Sequence, residues 1–230
     1  MAGASQSQPS ALHGVLLIVA AVGIFAVMDT IAKYLARSYP VSGVVWARFA
    51  ANLLILLVFL AARGELKRLR TARPGLQIMR GLLLAGASLL YFTSLTVLPL
   101  AEAAAIGFVM PLFLALLAVP MLGERMDGAV LLAFALPFAW VTPTDPWHWV
   151  LLGIIGLLAS VGHFTLIRAY DYGSATGLAP FFYTQLVWVM LLGWLVFGDF
   201  PDGWSLLGMG IIVASGIYLV GRQRLTMHRS

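Results

Sequence analysis

The chain has 230 residues, of which 61% are hydrophobic and only 10% are charged, whereas a typical soluble domain has about 25% charged residues. This composition excludes a soluble globular fold and indicates an integral membrane protein. The absence of cysteine excludes disulfides, thiolate nucleophiles and cysteine-ligated metals. The net charge of +5 is concentrated between apolar segments and in the C-terminal tail, which is typical of cytoplasmic loops and not of a nucleic-acid-binding surface.

Eight apolar segments are predicted to form membrane helices. Seven reach the length of about 20 residues that a helix needs to cross the hydrocarbon core; they lie at 12–38, 42–62, 76–98, 101–122, 147–169, 178–198 and 204–221. The eighth, at 128–142, is apolar throughout but has only about 15 residues, so it either spans a locally thin bilayer or is re-entrant. We therefore predict an all-α integral membrane protein, a polytopic bundle of about eight transmembrane helices.

The charges of the connecting loops predict the orientation of these helices. Five of the 14 basic residues lie at 63–73 and three more at 222–229. The alternate connections contain no Lys or Arg; they lie near 99–101, 143–147 and 199–203. Because cytoplasmic loops carry the excess of Lys and Arg, this distribution favours eight spans with both termini in the cytoplasm. Lys33 and Arg37, at the outer end of the first helix, depart from the rule. The first ten residues lack Lys and Arg, so the first helix is expected to remain as an anchor.

A weak internal repeat relates the two halves of the chain. Residues 87–93 are similar to residues 159–165, and a Gly-(Glu/Asp)-x-x-Asp-Gly motif occurs once in each half. In the eight-helix topology the two copies enter the membrane from opposite sides, as in many alternating-access carriers. The predicted domains are a first repeat of four helices at 11–125 and a second of four helices, the first of them short, at 128–222.

Three longer segments carry a resemblance to a known family. FAVMDTIAKYLARSYPVSGVVWARF (25–49) resembles the first hairpin of EamA-type members of the drug/metabolite transporter superfamily. AIGFVMPLFLALLAVPMLGER (105–125) is similar to the end of that family's fourth helix, and 179–219 resembles its last two helices. The resemblance implies a membrane carrier of small metabolites, such as amino acids or related compounds, that works by alternating access and is not an enzyme.

The chain also departs from that family's pattern. Members usually have ten helices in two inverted repeats of five, whereas here the segment directly after 122–125 (LGER) resembles the family's seventh helix. The fifth and sixth helices are therefore expected to be missing. Since the sixth helix is expected to line the central cavity, an alternative is a shortened, non-transporting paralogue that acts structurally or as a partner subunit.

Ionisable side chains within spans identify the first candidate site. Such a group costs about 2.5–3.5 kcal/mol on insertion, so it requires a partner or a function. Asp29 in the first helix and Arg48 in the second are each about ten residues from the loop that joins these helices, and are expected to meet at one depth. They form either a structural pair that holds the hairpin or a site for proton coupling or substrate binding.

Polar residues of later helices complete the candidate set. His163 is expected either to relay a proton or bind a substrate carboxylate, or to form an interhelical hydrogen bond; Tyr91 occupies the equivalent place in the first repeat. Tyr183, Gln185 and Trp188 cluster after Pro180, which can kink the helix and turn these side chains toward a cavity. The substrate- or proton-binding candidates are thus Asp29, Arg48, Tyr91, His163, Tyr183, Gln185 and Trp188.

Motifs of soluble enzymes are absent from the sequence. It contains no HExxH, P-loop or GxGxxG motif and no metal-ligand spacing among its four histidines. We therefore predict no metal, no cofactor and no catalytic residues, and an intramembrane hydrolase using Ser174 and His163 is the weakest alternative. The expected partners are a small-molecule substrate, the lipid bilayer and a second copy in a homodimer, with small residues such as Gly210 and Ala214 at a helix contact.

Overall fold

The computed structural model describes residues 11–65, 74–107, 142–173 and 175–214, and every element within them is helical. The α-helices are α1 (Ala11–Leu35), α2 (Val41–Ala62), α3 (Pro74–Val97), α4 (Leu100–Gly107), α5 (Pro146–Ala169), α6 (Ala175–Leu178), α7 (Thr184–Leu192) and α8 (Gly203–Ala214). A 3-10 helix at Ala179–Tyr183 joins α6 to α7, and a π-helical turn at Gly193–Phe197 extends α7.

Four helical segments are long and apolar enough to cross a membrane: Leu12–Leu35, Val41–Ala62, Pro146–Ala169 and Ala179–Phe197. Two shorter apolar stretches accompany them. One is Gly81–Val97, within α3, and the other is α8 itself, Gly203–Ala214. For the described residues, the prediction of an all-α protein with membrane-spanning helices is therefore confirmed. Almost all of the predicted short helix at 128–142, and the second part of the one at 101–122, lie outside the described residues.

The first helix ends three residues earlier than predicted, at Leu35. A turn follows, in which the Ser38 amide donates to Leu35 O at 3.0 Å. Pro40 then disfavours helical backbone at the preceding residue, which separates α1 from α2. The consequence is that Asp29 lies six residues from the end of its helix and not nine.

Helix α1 is the central element of the described bundle. It contacts α3, α4, α5 and α7. Six of its apolar side chains are fully buried: Ile18, Ala21, Val22, Ala26, Ala32 and Leu35. In lipid, helix association depends on close packing and polar contacts rather than on hydrophobic burial. Charged residues of α1 therefore face protein and not lipid.

The loop after α7 reaches back toward the end of α1. Gly198 has a φ of 73°, in the left-handed region that glycine adopts without strain, and ends the π-helical turn. Its neighbour Asp199 donates its amide to Gly193 O at 3.2 Å. Asp202 then caps α8 by accepting from the Ser205 amide at 2.7 Å. Hydrogen bonding with the Ser205 side chain and then with its amide holds the pKa of Asp202 below its ordinary value.

Glycines set the spacing of α5 against its neighbours. A Cβ added at Gly162 would lie 2.6 Å from the Phe25 ring, and one added at Gly156 would overlap Ala51 of α2. Gly153, three residues before Gly156 on the same helix, has nothing within 4 Å of its added Cβ.

These two glycines of α5 give a matched test of the packing. We expect Gly156→Ala to lower the stability of the folded protein by about 1–3 kcal/mol, because α2 and α5 must separate. Gly153→Ala should leave stability unchanged or raise it by up to about 1 kcal/mol through helix propensity. Thermal unfolding of both purified variants in detergent measures the difference, and equal melting temperatures would contradict this packing.

Candidate functional site

Helices α1, α2 and α3 bring Asp29, Arg48 and Tyr91 to one depth. Asp29 lies six residues before the end of α1, Arg48 seven residues after the start of α2, and Tyr91 six residues before the end of α3. At 1.5 Å per residue, each is about 9–11 Å from the same end of the bundle. The shared depth expected for Asp29 and Arg48 thus extends to a third helix.

Asp29 is the acceptor in this cluster. Asp29 is only 3% exposed, and its Oδ2 accepts a hydrogen bond of 2.9 Å from the Tyr91 hydroxyl. Arg48 acts on the carboxylate electrostatically, but among the described residues the two form no ion pair within 4.0 Å. Asp29 is therefore held by a neutral donor, with a cation nearby.

Arg48 retains unused hydrogen-bonding capacity. Its Nε is buried and has no hydrogen-bond partner within the described part of the chain. The guanidinium lies over the Phe92 ring, with Cζ 5.3 Å from the ring centroid. A buried donor without a partner costs about 1–3 kcal/mol, and such groups often mark the place of a ligand or an ordered water. The Asp29–Tyr91–Arg48 cluster is therefore suited to binding a polar group or a proton.

A second group of charged residues, Lys33 and Asp199, lies one helical turn further along α1 and is called the second layer. Lys33 is 7% exposed, and its Nζ donates to Leu98 O at 2.9 Å and to Asp199 Oδ2 at 3.2 Å. The second contact is an ion pair between α1 and the loop before α8. Arg37 lies beside it, and both cations stand over the Phe197 ring, with Lys33 Nζ 5.0 Å and Arg37 Cζ 4.7 Å from its centroid.

Sequence reasoning missed this second layer. The sequence placed residue 199 in an outer connection and marked Lys33 only as a departure from the loop-charge rule. The available signal was that Lys33 and Arg37 break the loop-charge pattern, since cations on the less basic side of a membrane protein require a local reason.

A cavity of about 300 Å³ opens beside this ion pair, where α1 and α3 end. We call it the Lys33 cavity; its lining consists of Lys33, Ala36, Arg37, Leu95, Thr96, Val97, Leu98, Pro99 and Asp199. It therefore lies directly above the Asp29 cluster along α1.

His163 makes no described contact with Asp29 or Tyr91, although the Arg48 charge acts on it. Its side chain is exposed on α5, and its Nδ1 lies 2.7 Å from Ala159 O of the preceding turn, as a donor to that carbonyl. Its ring meets the Phe25 ring edge to face at 5.0 Å. Neither described contact joins His163 to Asp29 or Tyr91.

Two of the three candidates of the seventh predicted span lie in different environments. Trp188 packs on α1, where its ring lies 3.3 Å from the position of a Cβ added at Gly23. Tyr183 lines an apolar cleft of about 380 Å³ between α7 and α8, together with Met190 and Met209. Gln185 is half-buried. The structure thus places Tyr183 and Trp188 on different sides of α7 and not around one polar site.

Comparison with known proteins gives the family. The EamA-like transporter family matches the chain twice, over residues 12–136 and 126–222. The chain belongs to this family. Membership makes it a membrane transporter within the drug/metabolite transporter superfamily and not an enzyme, as the sequence resemblance predicted.

Named relatives of this EamA-family chain carry different small molecules. It is 25% identical to the S-adenosylmethionine uptake transporter of Rickettsia conorii, covering 87% of this chain and 90% of the relative. It is also 25% identical to the pseudopaline exporter of Pseudomonas aeruginosa, covering 90% and 95% respectively. A shorter match, 35% identical over 88 residues, covers 38% of this chain and 29% of the riboflavin transporter of Vibrio cholerae. No solved structure matches the chain.

The alignment with the Rickettsia conorii relative also measures a difference in length. It extends over 266 positions but contains 87% of the 230 residues, about 200. The relative therefore has about 65 positions without a counterpart here, enough for two membrane helices of about 20 residues each and their connections. This shortening agrees in size with the expected absence of two helices.

The Tyr91–Asp29 hydrogen bond can be tested by stability. We expect Tyr91→Phe to lower the free energy of unfolding by about 1–3 kcal/mol, because the buried carboxylate loses its donor. Tyr34→Phe is the control, since Tyr34 is an exposed tyrosine on the same helix as Asp29. Thermal unfolding in detergent compares the two variants. A Tyr91→Phe protein as stable as Tyr34→Phe would show that the bond contributes nothing.

Proposed function

We propose that this EamA-family chain is a carrier that moves a small metabolite across the bacterial inner membrane by alternating access. The observation that carries the proposal is the buried Asp29–Tyr91–Arg48 cluster, which lies below the charged Lys33 cavity. In a membrane protein, buried ionisable groups are costly, and they often mark a substrate or proton path. The transported compound is a small metabolite, such as an amino acid or a related compound, and the small organic molecules named for the relatives support the broader class.

The alternation is between two inverted halves, 11–125 and 128–222. Two matches of one family, over 12–136 and 126–222, support this division. The contact between α4 of the first half and α7 of the second provides an interface along which the halves can move. Eight spans, cytoplasmic termini and a homodimer are parts of the same proposal.

Asp29 is the coupling group in this mechanism. When Asp29 is ionised, its charge balances that of Arg48; when it takes up a proton, the cluster gains one positive charge. A site with two such states can bind an anionic group in one and release it in the other. His163 is a weaker choice, because its Nδ1 is used by the Ala159 carbonyl of its own helix.

Transport by proteoliposomes tests this role. We expect Asp29→Asn to lower the initial uptake rate by at least about tenfold, equivalent to about 1.4 kcal/mol. The remaining uptake should no longer depend on an imposed pH gradient. Membrane insertion of the variant should be unchanged. The probes are radiolabelled S-adenosylmethionine, riboflavin and a mixture of amino acids. His163→Gln is the matched control and should retain most of the uptake.

Two outcomes would contradict the account. Unchanged uptake and pH dependence in Asp29→Asn would exclude the coupling role of this carboxylate. Absence of uptake of every probe by the folded, unmodified chain, with either direction of the gradient, would favour the alternative of a shortened, non-transporting paralogue. The observation that favours this alternative is the shortening by about 65 positions relative to the Rickettsia conorii transporter.

A further inference from the structure

The Lys33 cavity has an excess of positive charge. Lys33 and Arg37 line it with two cations, and Asp199 with one carboxylate. The remaining described lining is uncharged, so the cavity carries a net charge of +1. Low-dielectric walls strengthen the field of such a charge at the mouth of a cleft. The cavity should therefore concentrate anions.

The two cations differ in how far their hydrogen-bonding capacity is used. The Lys33 ammonium has three donors, of which the described contacts use two, on Leu98 O and Asp199. Arg37 is exposed, and its described contact is with the face of Phe197. A guanidinium in this position keeps its coplanar N–H groups available to donate hydrogen bonds to a carboxylate.

Asp199 is the displaceable member of the ion pair. Its side chain is 38% exposed, against 8% for that of Lys33. It lies on the short connection between Gly198 and α8, and not within a packed helix. An exposed partner contributes little net free energy to an ion pair, because water and free ions compete for it. An external carboxylate can therefore replace it.

We propose that the Lys33 cavity is a binding site for the carboxylate of a small metabolite, which takes the place of Asp199 on Lys33 and is also held by Arg37. The volume of about 300 Å³ is at the lower limit of ordinary ligand pockets, which range from about 300 to 1,000 Å³. It suits a small carboxylic acid or the acidic end of a larger compound. Its place in transport rests on the proposed carrier function.

Displacement of Asp199 has a structural consequence. Lys33 joins three parts of the chain: α1, the end of α3 through Leu98 O, and the second half through Asp199. A substrate carboxylate that replaces Asp199 removes the link to the second half while it keeps the other two. Binding at this site thus loosens the contact between the halves one helical turn above Asp29.

Thiol chemistry can measure the field of the cavity, because the chain has no cysteine. Thr96→Cys places a thiol in the lining, at an exposed position near the end of α3. In purified protein in detergent, its reaction rates with an anionic and a cationic methanethiosulfonate are compared and normalised to those of 2-mercaptoethanol. We expect the anionic reagent to be favoured, and Arg37→Gln to reduce that preference by about three- to tenfold.

Arg168→Gln is the matched control for Arg37→Gln. Arg168 is also an exposed arginine over a phenylalanine ring, Phe164, but it lies near the end of α5 and outside the cavity lining. Its replacement should leave the reagent preference unchanged. Equal reactivity of the two reagents in the Thr96→Cys protein would overturn the proposal.

Competition by a simple carboxylate tests binding directly. The probe is succinate, its neutral counterpart is succinamide, and the readout is protection of the thiol at position 96 from uncharged methyl methanethiosulfonate. Succinate should slow the reaction with saturation, and succinamide should not. Asp199→Asn should lower the succinate concentration for half-protection by at least about threefold, because the internal competitor is removed. Arg37→Gln should raise it.

The protection and uptake experiments test the binding site and the carrier function separately. Equal protection by succinate and succinamide, or an unchanged half-protecting concentration in Asp199→Asn, would contradict the site whether or not the protein transports. Saturable protection by succinate together with absence of all uptake would support the site and contradict the carrier. Gel filtration of each variant shows that the protein compared is folded.

Discussion

The burial of two charged side chains of α1 within an apolar bundle is the constraint on which the rest of the structure depends. Asp29 and Lys33 lie one turn apart and are 3% and 7% exposed. Neither charge can face lipid at low cost. Tyr91 and Arg48 therefore gather around Asp29, while Leu98 O and Asp199 gather around Lys33. These contacts connect α1 to α2, to α3 and to the loop before α8.

Four of the predicted membrane spans and part of the site followed from the sequence. Apolar length located the spans, and equal distances from one loop placed Asp29 and Arg48 at one depth. The contacts with Tyr91 and Asp199 were not predicted. These partners lie 62 residues from Asp29 and 166 residues from Lys33. Helices that are apolar on all sides do not reveal which face meets which neighbour, so packing decides these pairs.

The same reason explains why other candidates are distributed over separate environments. The internal repeat made His163 the counterpart of Tyr91, yet Tyr91 donates to Asp29 and His163 bonds within its own helix. The repeat relates positions along two helices but does not give their rotation about the helix axis. Tyr183 and Trp188 are likewise close in sequence and lie on different sides of α7. Depth in the membrane follows from sequence, whereas orientation follows from packing.

If this shortened EamA-family chain is a carrier, water and substrate must reach the region around Asp29 between its two halves. The most direct measurement places single cysteines at Ser88, beside the Tyr91 turn of α3, and at Ser160 of α5, and labels each from either side of the membrane with an impermeant thiol reagent. A carrier predicts labelling of these positions from at least one side. Complete protection from both sides, in protein shown to be folded, would contradict the claim and identify a closed bundle.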